Sequence, residues 1–185
     1  MPGYILTGTP GSGKTAVLRQ LELDGHRVVE EAATDTIALA NACGEEEPWR
    51  EPAFVDQVVR LQRRRRDAAR VAGDADVFFD RSPVCTLALC HYLGFATPPV
   101  LVAEVERAVA GDEYEPTVFF VRNLGFVRHT EARRISLADS LVFERLHERT
   151  YRGLGFQLVD VPAGPLPERV ALVRREVERL AASRP

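Results

Sequence analysis

Short apolar runs recur along the chain, each bounded by charged residues, glycine or proline. These runs lack the strict alternation of polar and apolar residues that is typical of a half-exposed strand, so they favour strands buried on both faces of a sheet. Five strands are predicted, at Tyr4–Thr7, Arg27–Glu31, Val77–Asp80, Thr117–Val121 and Phe156–Val161.

The segments between these runs have helical character. In the longest, from Ala53 to about residue 72, Phe54, Val55, Val58 and Val59 form an apolar face. Pro83 suits the first turn of another helix, with Ser82 as its N-cap, and Thr34 or Asp35 is predicted to cap the helix that follows the second strand. The predicted helices cover about 16–23, 36–43, 53–72, 83–93, 100–110, 136–152 and 168–182, and 44–52 is predicted to be an exposed loop.

Strands therefore alternate with helices throughout, and no linker or repeat interrupts the pattern. Such alternation predicts parallel strands joined by right-handed crossovers, with helices on both faces of one sheet. We expect one α/β domain over 1–185, with three layers and a five-stranded parallel sheet. Ligands of such sheets bind at the carboxyl ends of the strands.

The composition narrows the class of protein. The 185 residues carry a net charge of −3, which gives no basic field for nucleic acid, and no run is long enough to span a membrane. The first strand begins near residue 4, which leaves no room for a signal peptide. Three cysteines without a Cys-x-x-Cys pair favour a reducing compartment, so we expect a cytoplasmic protein. The four histidines show no metal-ligand spacing.

The strongest motif lies between the first strand and the first helix. Gly8–Thr15 reads Gly-Thr-Pro-Gly-Ser-Gly-Lys-Thr, which matches the phosphate-binding pattern G-x-x-x-x-G-K-[ST] at every fixed position. Its glycines permit a backbone nest of N–H groups for phosphate oxygens, and Lys14 can reach the β- and γ-phosphates. The Thr15 hydroxyl is a candidate Mg²⁺ ligand. The predicted nucleotide-binding residues here are Gly8, Thr9, Pro10, Gly11, Ser12, Gly13, Lys14, Thr15 and Ala16. With this loop, the predicted three-layer domain is expected to have the fold of P-loop NTPases.

Acidic and basic residues follow the neighbouring strands at the same edge. Asp80 closes the third strand and is predicted to orient the magnesium ion, although it could also cap the next helix. Arg81 could clamp a phosphate or a substrate oxygen, or form a surface ion pair. Arg122 and the loop at Pro162 converge on the same edge.

Two further features leave alternatives open. The run Arg63–Arg66 cannot meet one ligand with all four side chains, so it is either a solvated helix face or a source of one or two contacts to an anion. Trp49 could stack on a flat ring or anchor its own loop.

Taken together, these motifs resemble the NadR-like AAA-type ATPase family of small P-loop proteins, which is related to nucleoside and nucleoside-monophosphate kinases. The resemblance covers Tyr4 to about Val173. It is carried by the P-loop, Val-Val-Glu-Glu-Ala-Ala at 28–33, Phe-Asp-Arg-Ser at 79–82, an arginine-bearing lid, and Tyr-x-x-Leu-Gly-Phe-x-Leu-Val-x-Val-Pro at 151–162.

The resemblance implies roles for particular residues. Glu31, or Glu30, would be the substrate ligand or general base, and Asp80 and Arg81 would handle metal and substrate. The segment 122–135 would be the lid, with Arg133 and Arg134 reaching the donor phosphates. The loop 161–163 would hold the base through backbone groups. Relatives would have an arginine where this chain has Thr34, and Glu131 is the nearest equivalent of their acidic residue before the lid arginine.

These expectations predict a Mg²⁺-dependent kinase that transfers the γ-phosphate of ATP to a small hydroxylated acceptor. The absence of an Asn-Lys-x-Asp motif favours adenine over guanine. The acceptor pocket is expected between Glu31, Trp49, Arg81 and the 54–64 helix. The competing readings are a nucleotide-dependent switch that binds a macromolecular or lipid partner, and a simple ATPase. The sequence is compatible with a homodimer.

Overall fold

A five-stranded sheet in which every strand pair is parallel forms the centre of the protein. The computed structural model describes residues 3–71, 76–111, 113–126 and 135–183. The strands are β1 Gly3–Thr7, β2 Arg27–Val29, β3 Val77–Asp80, β4 Thr117–Val121 and β5 Gln157–Val161, in the order β2-β3-β1-β4-β5. The predicted fold class is confirmed.

Seven helices within the described ranges connect and flank these strands. They are α1 Lys14–Leu23, α2 Ala32–Ala42, α3 Ala53–Val71, α4 Pro83–Tyr92, α5 Pro99–Val109, α6 Leu137–Gly153 and α7 Leu166–Ala182. Pro48–Arg50 forms a short 3₁₀ turn inside the predicted exposed loop, and Pro48 is buried. None of these helices is both long and apolar enough to cross a membrane.

Alternate residues of the inner strands pack on opposite faces of the sheet. Tyr4 and Leu6 belong to a core that includes α1 and α7, whereas Ile5 belongs to a core that includes α3, α4, α5 and α6. Side chains that alternate in this way bury both faces of a strand. The two cores give the molecule its three layers.

The two edge strands, β2 and β5, are not buried on both faces as the sequence pattern predicted. All residues of β2 are only half-buried, and Gln157 and Asp160 of β5 are exposed. An edge strand has a neighbour on one side only, so its residues remain nearer to solvent. Burial on both faces therefore holds for β1, β3 and β4.

The start of α2 was predicted wrongly. The helix begins at Ala32, so Thr34 and Asp35 lie in its first turn and do not cap it. Glu31 occupies the N-cap position in an extended conformation, but its side chain makes no capping bond. That carboxylate pairs with Arg81 instead. Asp35 in the first turn still favours the helix through the helix dipole.

The arginine run is divided: Arg63 and Arg64 are exposed, as expected for a solvated helix face, whereas Arg65 and Arg66 are not. Arg66 is 1% exposed and forms ion pairs with Glu104 and, at 3.0 Å, with Glu113. Arg65 donates to the carbonyl oxygens of Glu30 and Glu31, at 3.0 and 2.8 Å. Arg66 therefore stabilises the core, and Arg65 holds the chain segment that carries Glu31.

Candidate active site

The P-loop lies between β1 and α1, at the carboxyl edge of the sheet. Gly8, Gly11 and Gly13 have positive φ values of 155°, 89° and 72°. A Cβ at Gly8 would lie 2.6 Å from the carbonyl oxygen of Val121, and one at Gly13 would lie 2.9 Å from Nη1 of Arg169. Both positions therefore require glycine for space as well as for backbone conformation.

Neighbouring elements hold the carbonyl groups of this loop. The carbonyl of Pro10 accepts from Ser140 Oγ at 2.5 Å and from Asn123 Nδ2 at 2.9 Å. The carbonyl of Gly11 accepts from the N–H of Leu124 at 2.9 Å. Because the C=O and N–H of a trans peptide point in opposite directions, fixing the carbonyl group of Pro10 outward turns the N–H group of Gly11 inward. The N–H of Ser12 donates within the loop, to the carbonyl oxygen of Thr9 at 3.1 Å. No hydrogen bond in the described ranges occupies the N–H groups of Gly11 and Gly13.

Lys14 and Asp80 form a buried ion pair beneath the loop. Their side chains are 4% and 7% exposed. The register aligns Leu6 of β1 with Asp80 of β3, so the two strands end together and bring Asp80 beside the P-loop. Burial and the charge of Glu31 raise the pKa of Asp80, and the charges of Lys14 and Arg81 oppose that rise. Lys14 thus keeps a buried carboxylate compensated.

A small cavity of about 140 Å³ opens beside this ion pair. It is lined by oxygen-bearing side chains from three elements, including Thr15, Glu31 and Asp80. Hydroxyl and carboxylate oxygens suit Mg²⁺, which usually takes only one or two protein ligands together with phosphate oxygens and water. In the described part of the chain, no group of at least three His, Cys, Asp or Glu side chains could hold a metal by itself.

Arg81 connects Glu31 to helix α6. Its Nε pairs with Glu31 Oε1, and its Nη1 lies 3.4 Å from Nε2 of His147. Arg81 has φ 74°, and it is the only non-glycine residue with a positive φ in the described ranges. A left-handed conformation at such a residue costs about 1–3 kcal/mol, and strain of this kind is common at functional sites.

The protonation states of this cluster follow from burial and from the neighbouring charges. Burial alone would raise the pKa of Glu31, but Arg81, Lys14 and a hydrogen bond from Thr34 lower it to about 2. Burial, reinforced by the charge of Arg81, lowers the pKa of His147 to about 3. His147 is therefore neutral. Its Nδ1 lies 3.0 Å from the carbonyl oxygen of Phe143 and donates to it, which leaves Nε2 as an acceptor for Arg81.

A larger cavity of about 430 Å³ lies on the other side of Glu31 and Arg81. Trp49 lines it and also packs against a buried cluster that includes Phe54 and Val58. Glu31, Trp49, Arg81 and the first half of α3 thus line one cavity, and their role in binding an acceptor stays a prediction. The remaining apolar wall comes from α2, α4 and α6: Ile37, Leu89, Leu93 and Phe143.

The cavity also has polar groups on its walls. Gln62 accepts from Thr86 Oγ1 at 2.9 Å, and its amide nitrogen lies 3.4 Å from the carbonyl oxygen of Ser82. At the rim, Arg50 pairs with Glu47 at 2.8 Å. A mostly apolar cavity with a few placed polar groups is typical of a small-molecule site.

Arg122 and Pro162 are not among the residues that line these two cavities. The guanidinium of Arg122 pairs with Glu144, Glu148 and Asp160 and lies over the ring of Phe120. Pro162 is exposed, in the loop between β5 and α7. Arg133, Arg134 and Glu131 lie outside the described residues.

Helix α6 contributes residues that the sequence analysis missed. Ser140 reaches the P-loop, His147 reaches Arg81, and the hydroxyl of Tyr151 lies 2.7 Å from Ser82 Oγ. These three residues are buried on one face of the helix. Their spacing of seven and four residues was the available signal, because it places polar side chains on the buried face of an amphipathic helix.

The fold and the phosphate loop define a small P-loop NTPase with the architecture of nucleoside kinases. The chain belongs to the AAA domain family AAA_28, whose model matches residues 3–169. No curated protein matches the sequence significantly.

Solved structures share the fold at low sequence identity. The deoxyadenosine kinase of M. mycoides with bound dATP is 12% identical, covers 96% of this chain and 100% of its own, and has a TM-score of 0.63. The same kinase with bound dCTP is 12% identical, with 96% and 99% covered and a TM-score of 0.58. The NadR protein in complex with NR is 17% identical, with a TM-score of 0.60 over 86% of this chain. The match spans only 43% of the NadR chain.

Proposed function

We propose that this protein is an ATP-dependent kinase that transfers the γ-phosphate to a hydroxyl group of a small acceptor in the 430 Å³ cavity. One observation carries the proposal. Glu31 lines both this cavity and the small cavity beside Thr15 and Asp80. A carboxylate at that junction can contact an acceptor hydroxyl that faces the donor phosphate.

The donor side of the proposal rests on the P-loop. Its glycines let the loop backbone pack closely against Val121 and Arg169, and no described hydrogen bond occupies the N–H groups of Gly11 and Gly13. Lys14 would bind phosphate oxygens in place of its present partner Asp80, and Asp80 would then be able to help hold the metal. Mg²⁺ held by Thr15 and Asp80 would neutralise charge on the phosphates. The oxygen ligands present fit that ion.

On the acceptor side, Glu31 orients the hydroxyl group and accepts its proton late in the transfer. A strongly basic group is not needed, because phosphoryl transfer passes through a loose transition state in which positioning and charge neutralisation dominate. Arg81 fixes the Glu31 carboxylate and places positive charge beside the reacting groups. The lid arginines Arg133 and Arg134 are proposed to supply further charge and to exclude water.

The cavity favours a neutral acceptor with a flat apolar part. Trp49 and Phe54 offer ring contacts, and Gln62 offers both a donor and an acceptor. Arg50 and Arg81, the arginines among the described lining residues, are already paired with carboxylates. A nucleoside meets these requirements, and the bound nucleotides of the structurally similar kinase support that class.

The test is turnover of Mg-ATP by the wild type with a panel of nucleosides, sugars and aminoglycoside-like alcohols. We expect one class of acceptor to stimulate ATP consumption strongly, and Glu31→Gln to abolish the stimulation. Glu30→Gln is the matched control, because Glu30 is half exposed and pairs with Arg19 outside the acceptor cavity. Its effect should be much smaller.

Tight nucleotide binding with slow hydrolysis that no acceptor stimulates would contradict a kinase. It would favour the regulatory alternative, in which nucleotide binding changes a partner surface.

A further inference from the structure

Arg169 of α7 lies buried against the outer side of the P-loop. It is 4% exposed, and its Nη2 donates to the carbonyl oxygen of Ser12 at 2.7 Å and more weakly to that of Arg122 at 3.4 Å. A Cβ at Gly13 would lie 2.9 Å from its Nη1. The guanidinium is therefore in direct contact with the centre of the loop.

The charge of Arg169 has no counter-charge in the described part of the chain. The other buried cationic side chains, Lys14 and Arg66, form ion pairs with Asp80 and with Glu104 and Glu113. Arg169 forms no ion pair with any described carboxylate, and its buried Nε has no hydrogen-bond partner. Burial disfavours the charged form of the guanidinium, which lowers the pKa of Arg169.

Such an arrangement is unfavourable in the free protein. A buried cation that is bonded only to carbonyl oxygens recovers only part of its lost hydration. A polyphosphate in the adjacent nest would supply the missing negative charge, and the low polarity around the guanidinium would strengthen the attraction.

The same contact orients a donor of the nest. Arg169 fixes the carbonyl group of Ser12 on the outer side of the loop. In a planar trans peptide, the N–H of Gly13 must then point to the opposite side, toward the ligand. Rotation of this peptide would remove one of the N–H donors that the loop offers to phosphate.

We propose that Arg169 is a positioning residue of the phosphate site, which orients the Gly13 N–H group and supplies a positive charge that the bound polyphosphate neutralises. The inference rests on the proposed nucleotide binding at the P-loop. It predicts that the contribution of Arg169 depends on the phosphate chain of the ligand and not on its base.

The experiment measures dissociation constants by titration calorimetry for Mg-ATP, for inorganic tripolyphosphate with Mg²⁺, and for adenosine. The proteins are the wild type, Arg169→Met, Arg169→Lys and Arg179→Met. Arg179 is the matched control, because it is an exposed arginine of the same helix that pairs with Glu176. Circular dichroism and the thermal midpoint without ligand report whether each variant is folded.

We expect Arg169→Met to weaken the binding of Mg-ATP and of tripolyphosphate by at least about 10-fold, because the variant loses both the positive charge and the hydrogen bond that orients the Gly13 N–H group. Adenosine affinity and the acceptor KM should change by less than about twofold. Arg169→Lys, which keeps the charge but not the fork of donors, should recover part of the affinity. Arg179→Met should match the wild type.

A folded Arg169→Met variant with unchanged tripolyphosphate affinity would overturn the inference, as would an equal loss for adenosine and tripolyphosphate. If Arg169→Met does not fold, unchanged tripolyphosphate affinity in a folded Arg169→Lys variant overturns it. A wild type that binds neither Mg-ATP nor tripolyphosphate would refute the proposed function itself, and this inference with it.

Discussion

The phosphate loop and the acceptor cavity are adjacent but built differently. The loop is one continuous stretch that acts through its backbone, and side chains of α6 and α7 hold its carbonyl groups from outside. The cavity is formed by side chains from α2, α3, α4 and α6 and from the turn at Trp49. A change in the loop should therefore affect every phosphate ligand. A change in the cavity should affect the acceptor alone.

The largest expected effect is on the donor side. Lys14→Ala removes the charge nearest the phosphates and leaves Asp80 buried without its partner. We expect turnover to fall by at least about 1,000-fold. Steady-state ATP consumption measures it, with circular dichroism as the control for folding. Substantial turnover in a folded Lys14→Ala protein would refute the assignment of the loop.

The next largest effect is expected for Glu31, which lines both the acceptor cavity and the small cavity beside the P-loop. Glu31→Gln should lower kcat by about 100- to 10,000-fold, because the amide cannot accept the proton. ATP affinity should change little, since Glu31 lies outside the loop. Rapid-quench kinetics and ATP titration separate the two quantities. Parallel losses in kcat and ATP affinity would place Glu31 on the donor side instead.

A pair of glycines distinguishes crowding from backbone strain. Gly13 and Gly25 both have positive φ, but Gly25 has open space where a Cβ would lie. Each alanine variant should lose about 1 kcal/mol of stability or more. Only Gly13→Ala should also raise the Kd for ATP, by about 10-fold or more. Equal ATP affinity in the two variants would show that the contact between residue 13 and Arg169 does not affect ATP binding.

A smaller effect is confined to the cavity. Trp49→Ala removes a ring from the cavity wall, and we expect the acceptor KM to rise by about 10-fold while the KM for ATP stays within about twofold. Leu39→Ala is a suitable control, because Leu39 is 68% exposed on α2 and does not line the cavity. An unchanged acceptor KM would leave Trp49 as a loop anchor only.

The last prediction concerns acid stability and not ligand binding. The pKa of His147 is about 3 in the folded protein against an ordinary 6.5. Between these values the unfolded chain binds a proton that the folded chain does not, so stability should fall as the pH drops below 6.5. Glu31, with its pKa lowered from 4.5 to about 2, should add to the loss below pH 4.5.

Urea unfolding from pH 7 to pH 5 measures the contribution of His147. His147→Gln should flatten the decline in stability over this range, whereas His91→Gln, at an exposed position of α4, should leave it unchanged. The same decline in both variants would contradict a neutral buried His147.

The sequence predicted the donor side more completely than the acceptor side for a physical reason. A P-loop uses consecutive residues, so its pattern is local and specific. Asp80 and Arg81 followed from a strand end. By contrast, Ser140, His147 and Arg169 contact the site only through tertiary packing. Ser140 and Arg169 lie 130 and 157 residues along the chain from their partners in the P-loop, and His147 lies 66 residues from Arg81. The burial of Arg66 likewise depends on an ion pair with Glu104, which lies on another helix.

The most direct test follows the fate of the phosphate itself. Wild type and Glu31→Gln are given ATP with a labelled γ-phosphate, Mg²⁺ and the most stimulating acceptor in a single turnover. We expect the wild type to transfer the label to the acceptor, and Glu31→Gln to bind ATP normally but to transfer the label at least about 100-fold more slowly. Label released only as inorganic phosphate, at the same rate with and without acceptor, would contradict a kinase.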